Sequence, residues 1–193
     1  MFTNNYKKFK ALQFGITGKG NEYERYETFT DWENTNREGR MVAMSWLDIG
    51  YCMKCARCGS LANVVDLKYP RNYGVYFGGG STPATENDYK LESLISSGLS
   101  ITNPSNILTV PEKDGRYSLV ANYIVQNTTG AAINIYEIGL YSYLGDSYII
   151  GQYMNWYPLL YERTVLSEPI TIPAGRTKII TYKITFNQTL NVE

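Results

Sequence analysis

Ile180-Thr181-Tyr182-Lys183-Ile184-Thr185-Phe186 is the stretch on which the fold turns. Apolar and aromatic residues occupy the even positions and polar residues the odd ones. That period of two puts Ile180, Tyr182, Ile184 and Phe186 on one face of a strand and Thr181, Lys183 and Thr185 on the other. This is the pattern of a sheet with one face on a core. Pro173-Ala174-Gly175 supplies the turn in front of it.

Working back along the chain, similar runs recur between turn residues. Leu159 to Val165 forms a strand after an interruption at Pro158, and Tyr148 to Tyr153 a shorter one. Arg116 to Gln126 and Ala132 to Tyr143 flank Asn127-Thr128-Thr129-Gly130, which is the best hairpin candidate in the sequence. Val75, Tyr76 and Phe77 make a strand that enters the bend Gly78-Gly79-Gly80-Ser81-Thr82-Pro83. Asn87 to Ile95 forms a loop on the rim. Strands at this spacing predict a mainly β fold, an antiparallel β-sandwich of jelly-roll type, over residues 71–193.

Residues 1–70 differ in character and predict an irregular, partly helical N-terminal arm. Tyr23, Tyr26 and Phe29 lie at i, i+3 and i+6 among acidic residues, which suits a short amphipathic helix or an irregular arm. Met41 to Tyr51 is apolar and fits helix or strand. The lysines Lys7, Lys8 and Lys10 are expected to be solvated.

Composition narrows the chemistry. The chain of 193 residues has 18 basic and 18 acidic side chains, so no global field draws it to nucleic acid. It has no histidine, which removes Ser-His-Asp and Cys-His hydrolysis and histidine-ligated metals. No apolar run reaches the length of a membrane span or a secretory h-region, so the expectation is a soluble chain made in a cytoplasm. The 18 tyrosines suit both strands and protein interfaces. Together these features predict a protein that makes contacts and is not an enzyme.

One constellation has real chemical potential. Cys52-Met53-Lys54-Cys55-Ala56-Arg57-Cys58 spaces its thiols as a metal knuckle does. Tetrahedral zinc needs a fourth ligand, such as Asp48 or Asp66, and reduced core thiols or a redox use are the other readings. No cofactor is expected apart from that zinc. Gly15 to Gly20 departs from a phosphate loop at Gln13 and Gly20, and is read as a turn. An EF-hand begun at Asp31 would place Asn36 at its invariant glycine, so that loop is rejected. Tyr148, Tyr153, Trp156, Tyr157 and Tyr161 crowd one region and form either an aromatic platform for sugars or the packing of a bend.

Five islands carry a family resemblance: Gly74 to Pro83, Asn87 to Glu92, Tyr136-Glu137-Ile138-Gly139-Leu140-Tyr141, Leu159 to Val165, and Ile172-Pro173-Ala174-Gly175. In order and spacing they are similar to a module of tailed-bacteriophage virion proteins, over roughly residues 73–186. The usual module has Gly-x-Gly-Thr-Thr-Pro-Pro and Leu-Leu-Ala-Arg. This chain has Gly79-Gly80-Ser81-Thr82-Pro83-Ala84 and Leu160-Tyr161-Glu162-Arg163 instead.

The resemblance implies a non-enzymatic virion structural protein, made in the bacterial host cytoplasm and assembled into the particle. It would be an oligomeric accessory, decoration or connector component on head, neck or tail. Its partners would be further copies of itself and other virion proteins, with no nucleic acid and no membrane. The alternative is a tip domain of a fibre or tail that binds a host receptor or glycan. Within the islands, Gly139 lets a backbone or an aromatic ring approach closely. Glu137, if buried in its strand, needs a cation, and Arg163 is the candidate.

Overall fold

In the computed structural model the alternating runs are strands. The structure describes residues 1–13, 19–20, 25–41, 49–59, 64–65, 73–145 and 155–189. Helix α1 (Asn4–Gln13) is followed by β1 (Lys19–Gly20), β2 (Arg25–Thr30) and β3 (Asn36–Met41), then α2 (Ile49–Met53), β4 (Ala56–Arg57) and β5 (Val64–Val65). The remainder is all strand: β6 (Gly74–Gly78), β7 (Leu99–Thr102), β8 (Leu108–Pro111), β9 (Arg116–Asn127), β10 (Ile133–Gly145), β11 (Asn155–Ile172) and β12 (Thr177–Thr189).

These strands make three sheets. One has the order β1-β2-β3, a second β4-β6-β10-β11-β5, and a third β12-β9-β7 with β8 also on β9. Pairing is antiparallel except between β4 and β6, so the five-stranded sheet is mixed. The fold is therefore mainly β. One buried cluster takes Val75, Phe77, Ile138 and Leu140 from the five-stranded sheet and Ala121, Tyr123, Val125, Ile180, Tyr182 and Ile184 from the four-stranded one. The alternation read from Ile180 to Phe186 holds: Ile180, Tyr182 and Ile184 are buried while Thr181 and Lys183 are exposed.

Three expectations change. The hairpin expected across Asn127 to Gly130 is not formed, because β9 pairs with β12 while β10 pairs with β6 and β11. The chain passes from one sheet to the other at that turn, and Asn127 makes the corner. Its buried Nδ2–H group donates to Ala131 O at 2.7 Å and to Ile172 O at 2.9 Å, and its own N–H donates to Arg176 O at 2.9 Å. The β11–β12 turn, with Gly175 at φ +65°, crosses between the same sheets. One amide thus stitches two crossings together.

Pro158 does not interrupt its strand. It lies buried within β11, opposite Tyr143, and the register shifts between Leu140 and Tyr141, where Tyr161 is the extra residue. A bulge of this kind bends a strand without ending it. Nor is Tyr26–Phe29 helical, since both residues belong to β2, paired in register with β3. The β2–β3 turn is built on buried Asp31, whose carboxylate accepts from the N–H groups of Glu33 and Thr35 and from Arg37 Nε at 2.9 Å. Asn34 takes the left-handed conformation there at φ 61°. Strands β7 and β8 had no counterpart in the sequence reading.

The sequence boundary near residue 70 runs through one sheet. Strands β4 and β5 pair with β6 and β11, and Ile49, Cys52 and Met53 join the shared cluster. Phe2 bridges Glu162 on β11, and α1 is held to β2 by the Asn5 amide, which exchanges hydrogen bonds with Thr30 N and O. The expected strand Tyr148–Tyr153 and the turn at Gly15–Gly18 lie outside the described residues.

Candidate functional site: a buried arginine–carboxylate node

Glu137 and Arg163 come from neighbouring strands whose register sets Glu137 opposite Val165 and Gly139 opposite Arg163. On one face of an antiparallel pair, residues in this diagonal relation are within reach when one side chain is long. The guanidinium reaches across: Arg163 Nε donates to Glu137 Oε2 at 2.8 Å. Glu137 is 0 % exposed and Arg163 3 %. The pairing expected from sequence is present, and it is buried on both sides.

Its surroundings explain how two charges persist out of water. Glu137 also accepts the backbone N–H groups of Gly80 (3.1 Å), Ser93 (2.8 Å) and Glu92 (3.1 Å). Arg163 turns its remaining nitrogens to Asp88, at 2.8 Å, and Glu92, at 3.5 Å. Buried ions are tolerated when their lone pairs and protons are met in this way. Burial raises the Asp88 pKa, but the Arg163 guanidinium and the N–H and O–H of Thr85 outweigh it, leaving Asp88 below its ordinary value. For Arg163, burial works against the charge, and the Asp88 and Glu137 carboxylates overcome it and raise the pKa.

The node fastens the 79–95 loop to the five-stranded sheet. Leu91 N–H donates to Tyr141 Oη at 2.8 Å, and Glu92 accepts from the N–H and hydroxyl of Thr82. Leu91, Tyr76, Tyr141 and Leu160 form a second buried cluster on this face. Tyr141 is wholly buried and its phenol pKa is driven upward by that burial.

Glycine is required where the loop and sheet touch. A Cβ on Gly78 would lie 2.4 Å from Glu137 Oε1, and one on Gly80 would lie 2.5 Å from Glu92 Cβ. Gly139 admits Leu91, whose Cδ2 would be 2.7 Å from an added Cβ. The close approach expected there is real, but its occupant is an aliphatic side chain where the sequence suggested a backbone or an aromatic ring.

Four of the five resemblance islands thus meet in one place. Gly78 and Gly80 come from the first, Asp88, Leu91 and Glu92 from the second, Glu137, Gly139 and Tyr141 from the third, and Leu160 and Arg163 from the fourth. The fifth supplies Ile172 O to the Asn127 corner. Sequence reasoning missed Asp88 and Glu92 as further partners of Arg163. Their signal was two acids in a short segment that also carries an apolar Leu91. It also missed Glu162, a buried carboxylate that accepts the hydroxyl of Tyr182 from the four-stranded sheet.

The other sequence candidates fall elsewhere. Cys52 is buried in the core on α2, Cys55 offers its carbonyl to Val75 N at 2.7 Å, and Cys58 Sγ–H points to Ile95 O. All three are free thiols. Among the described residues no three His, Cys, Asp or Glu side chains gather as metal ligands, and Asp48 and Asp66 lie outside those residues. Helix α2 ends at Met53, Cys55 N–H closes a turn onto Cys52 O, and the short strand β4 carries the chain on to Cys58.

Among the described residues the aromatic platform is not presented. Tyr157 and Tyr161 are 7 % and 1 % exposed, and Tyr157 is covered by the Arg37 guanidinium 4.3 Å from its ring centre. Tyr148, Tyr153 and the side chain of Trp156 lie outside the described residues. A cleft of about 130 Å³ borders the node, lined by Asn4, Asn5, Lys8, Thr30 and the 86–89 segment. Lining groups satisfy one another, as Asn4 with Asn87 and Asn5 with Thr30. No helix of the described residues is long and apolar enough to cross a membrane. Compared with family models, curated proteins and solved structures, the chain matches none.

Proposed function

We propose that this chain is a non-enzymatic structural protein of a tailed-bacteriophage virion, an oligomeric accessory, decoration or connector component attached to head, neck or tail. In this reading the five-stranded and four-stranded sheets stack as a β-sandwich that serves as a rigid body. The observation that carries it is the convergence of the resemblance islands on the Glu137–Arg163 node. Those residues act on each other, clamping a loop to a sheet, and the chemistry they perform is to hold shape. The shared cluster between the two sheets supports the sandwich, and the glycine and loop geometry supports a body of low plasticity.

The test is particle association. A tagged copy is expressed in a lysogen whose prophage carries this coding sequence, and virions are purified by density gradient. Co-sedimentation of the chain with intact particles at fixed stoichiometry is the expected result. Recovery only in the soluble lysate fraction, from particles that are otherwise complete, overturns it.

A further inference from the structure

The four-stranded sheet ends in β12, and no described element pairs with its outer edge. The direction of its backbone groups follows from the ladder. Asn127 N–H bonds Arg176 O, so the Asn127–Arg176 pair is of the hydrogen-bonded type. Such pairs alternate with non-bonded ones in an antiparallel ladder. With the register Thr177↔Gln126, Lys178↔Val125 and onward, even residues of β12 turn their N–H and C=O toward β9. The odd residues Thr177, Ile179, Thr181, Lys183 and Thr185 turn theirs outward. A free ladder of this kind specifies an extended strand as its partner.

The side chains narrow the partner further. Ile179 is 66 % exposed and sits beside Ile124, 45 % exposed, which in turn pairs with Thr102. β12 has no proline, no carboxylate and no register shift before Phe186, so the usual protections of an edge are sparse. Its two lysines, Lys178 and Lys183, decide which antiparallel alignments with itself are acceptable. Centred on Ile179, Lys178 faces Ile180, Thr177 faces Thr181 and Lys183 faces Gly175, and no lysine opposes a lysine.

We propose that β12 pairs antiparallel with β12 of a second copy about a twofold axis at Ile179. The two Ile179 residues exchange both backbone hydrogen bonds, and the row Thr102–Ile124–Ile179 continues across the axis into its mirror sequence. Isologous contacts of this type close as dimers. The inference rests on the proposed function only for its claim of oligomerisation, since the edge exists whether or not the chain joins a virion.

The test uses the full chain in solution. Sedimentation equilibrium is expected to give a dimer mass for the native protein. Ile179→Lys places two lysines face to face on the axis, and Thr181→Pro removes an outward N–H that has no partner among the described residues. Each is expected to give a monomer with an unchanged circular dichroism spectrum and a thermal midpoint that no longer rises with protein concentration. Ile179→Cys is expected to form an intermolecular disulfide under mild oxidation, because hydrogen-bonded antiparallel pairs hold Cα atoms about 5.5 Å apart. Thr185→Cys, far from the axis, is expected not to.

A monomeric native protein, a dimer that survives Ile179→Lys and Thr181→Pro, or cross-linking through Thr185→Cys in place of Ile179→Cys each overturns the proposal. A dimer that does not co-sediment with particles keeps this inference and removes the virion reading. A particle-bound chain that remains dimeric after both edge substitutions does the reverse.

Discussion

Arg163 Nε and Glu137 Oε2 lie 2.8 Å apart in a site where neither side chain has appreciable contact with water. Both partners also hold the 79–95 loop, Glu137 through three backbone N–H groups and Arg163 through Asp88 and Glu92. Removing either charge strands the other, with consequences beyond one lost hydrogen bond.

Glu137→Gln is expected to destabilise the fold by about 3–5 kcal/mol, the range for breaking a buried pair from one side. The new amide would also set an NH2 group against donors. Arg163→Gln is expected to cost a similar amount. The double variant should cost less than the sum, because the charges it removes are each other's partners. Urea unfolding of the four proteins checks this. Additive losses, or none, would remove the node from the account of stability.

The glycines that admit the loop should be intolerant in proportion to what a methyl group meets. Gly78→Ala and Gly139→Ala are expected to cost about 1–3 kcal/mol each through overpacking. Gly130→Ala, where no atom lies within 4 Å of an added Cβ, is the control and should be close to neutral. Thermal midpoints measured side by side separate close approach from a general cost of replacing glycine.

Asp88 makes stability depend on pH with a definite sign. Its folded pKa lies below its ordinary value. The stability it contributes is therefore complete above the unfolded carboxylate value of about 4 and is lost as pH falls through the folded value. Asp88→Asn should lower the urea midpoint at neutral pH and leave a shallower decline in acid. Parallel acid limbs for the two proteins would exclude Asp88 as a contributor.

Asn127 is the residue whose loss should uncouple the two inter-sheet crossings. Asn127→Asp keeps the acceptor for Thr129 N–H but cannot donate to Ala131 O and Ile172 O. Ile172 is buried, and a buried carbonyl left without its partner costs about 1–3 kcal/mol, so Asn127→Asp and Asn127→Ala should both lower the thermal midpoint. The burial of this amide also predicts that the Asn127-Thr128-Thr129 sequon is not used by a glycosyltransferase acting on the folded chain.

The thiols should behave as separate groups. Cys52 is inaccessible, so a thiol reagent should label fewer than three cysteines in the folded protein and all three in denaturant. Zinc bound to purified protein should be near zero and insensitive to Cys55→Ser. One zinc per chain, lost in that variant, would contradict the reading of the three as free thiols.

Much of the local structure was legible in the amino-acid order. Period-two alternation identified β12 and its buried face, because a strand with one face on a core must alternate. A glutamate in an apolar strand demanded a cation, because an ion out of water needs one, and Arg163 in another strand was the named candidate. Turn residues marked the ends of β9 and β10 because glycine, asparagine and threonine favour bends.

Which strands pair was decided only by the tertiary structure. The Asn127–Gly130 turn looks the same whether the chain doubles back or crosses between sheets, and the choice lies in bonds to Ile172 and Arg176, remote in sequence. The three cysteines had metal spacing, but spacing does not set direction: Cys52 is buried in the core and Cys58 Sγ turns to Ile95 O. Pro158 was read as a break because proline cannot donate to a ladder, yet it sits buried inside β11 with the register continuous on either side of it. Local chemistry is carried by each residue and its near neighbours. Pairing is carried by contacts whose partners no short stretch of sequence contains.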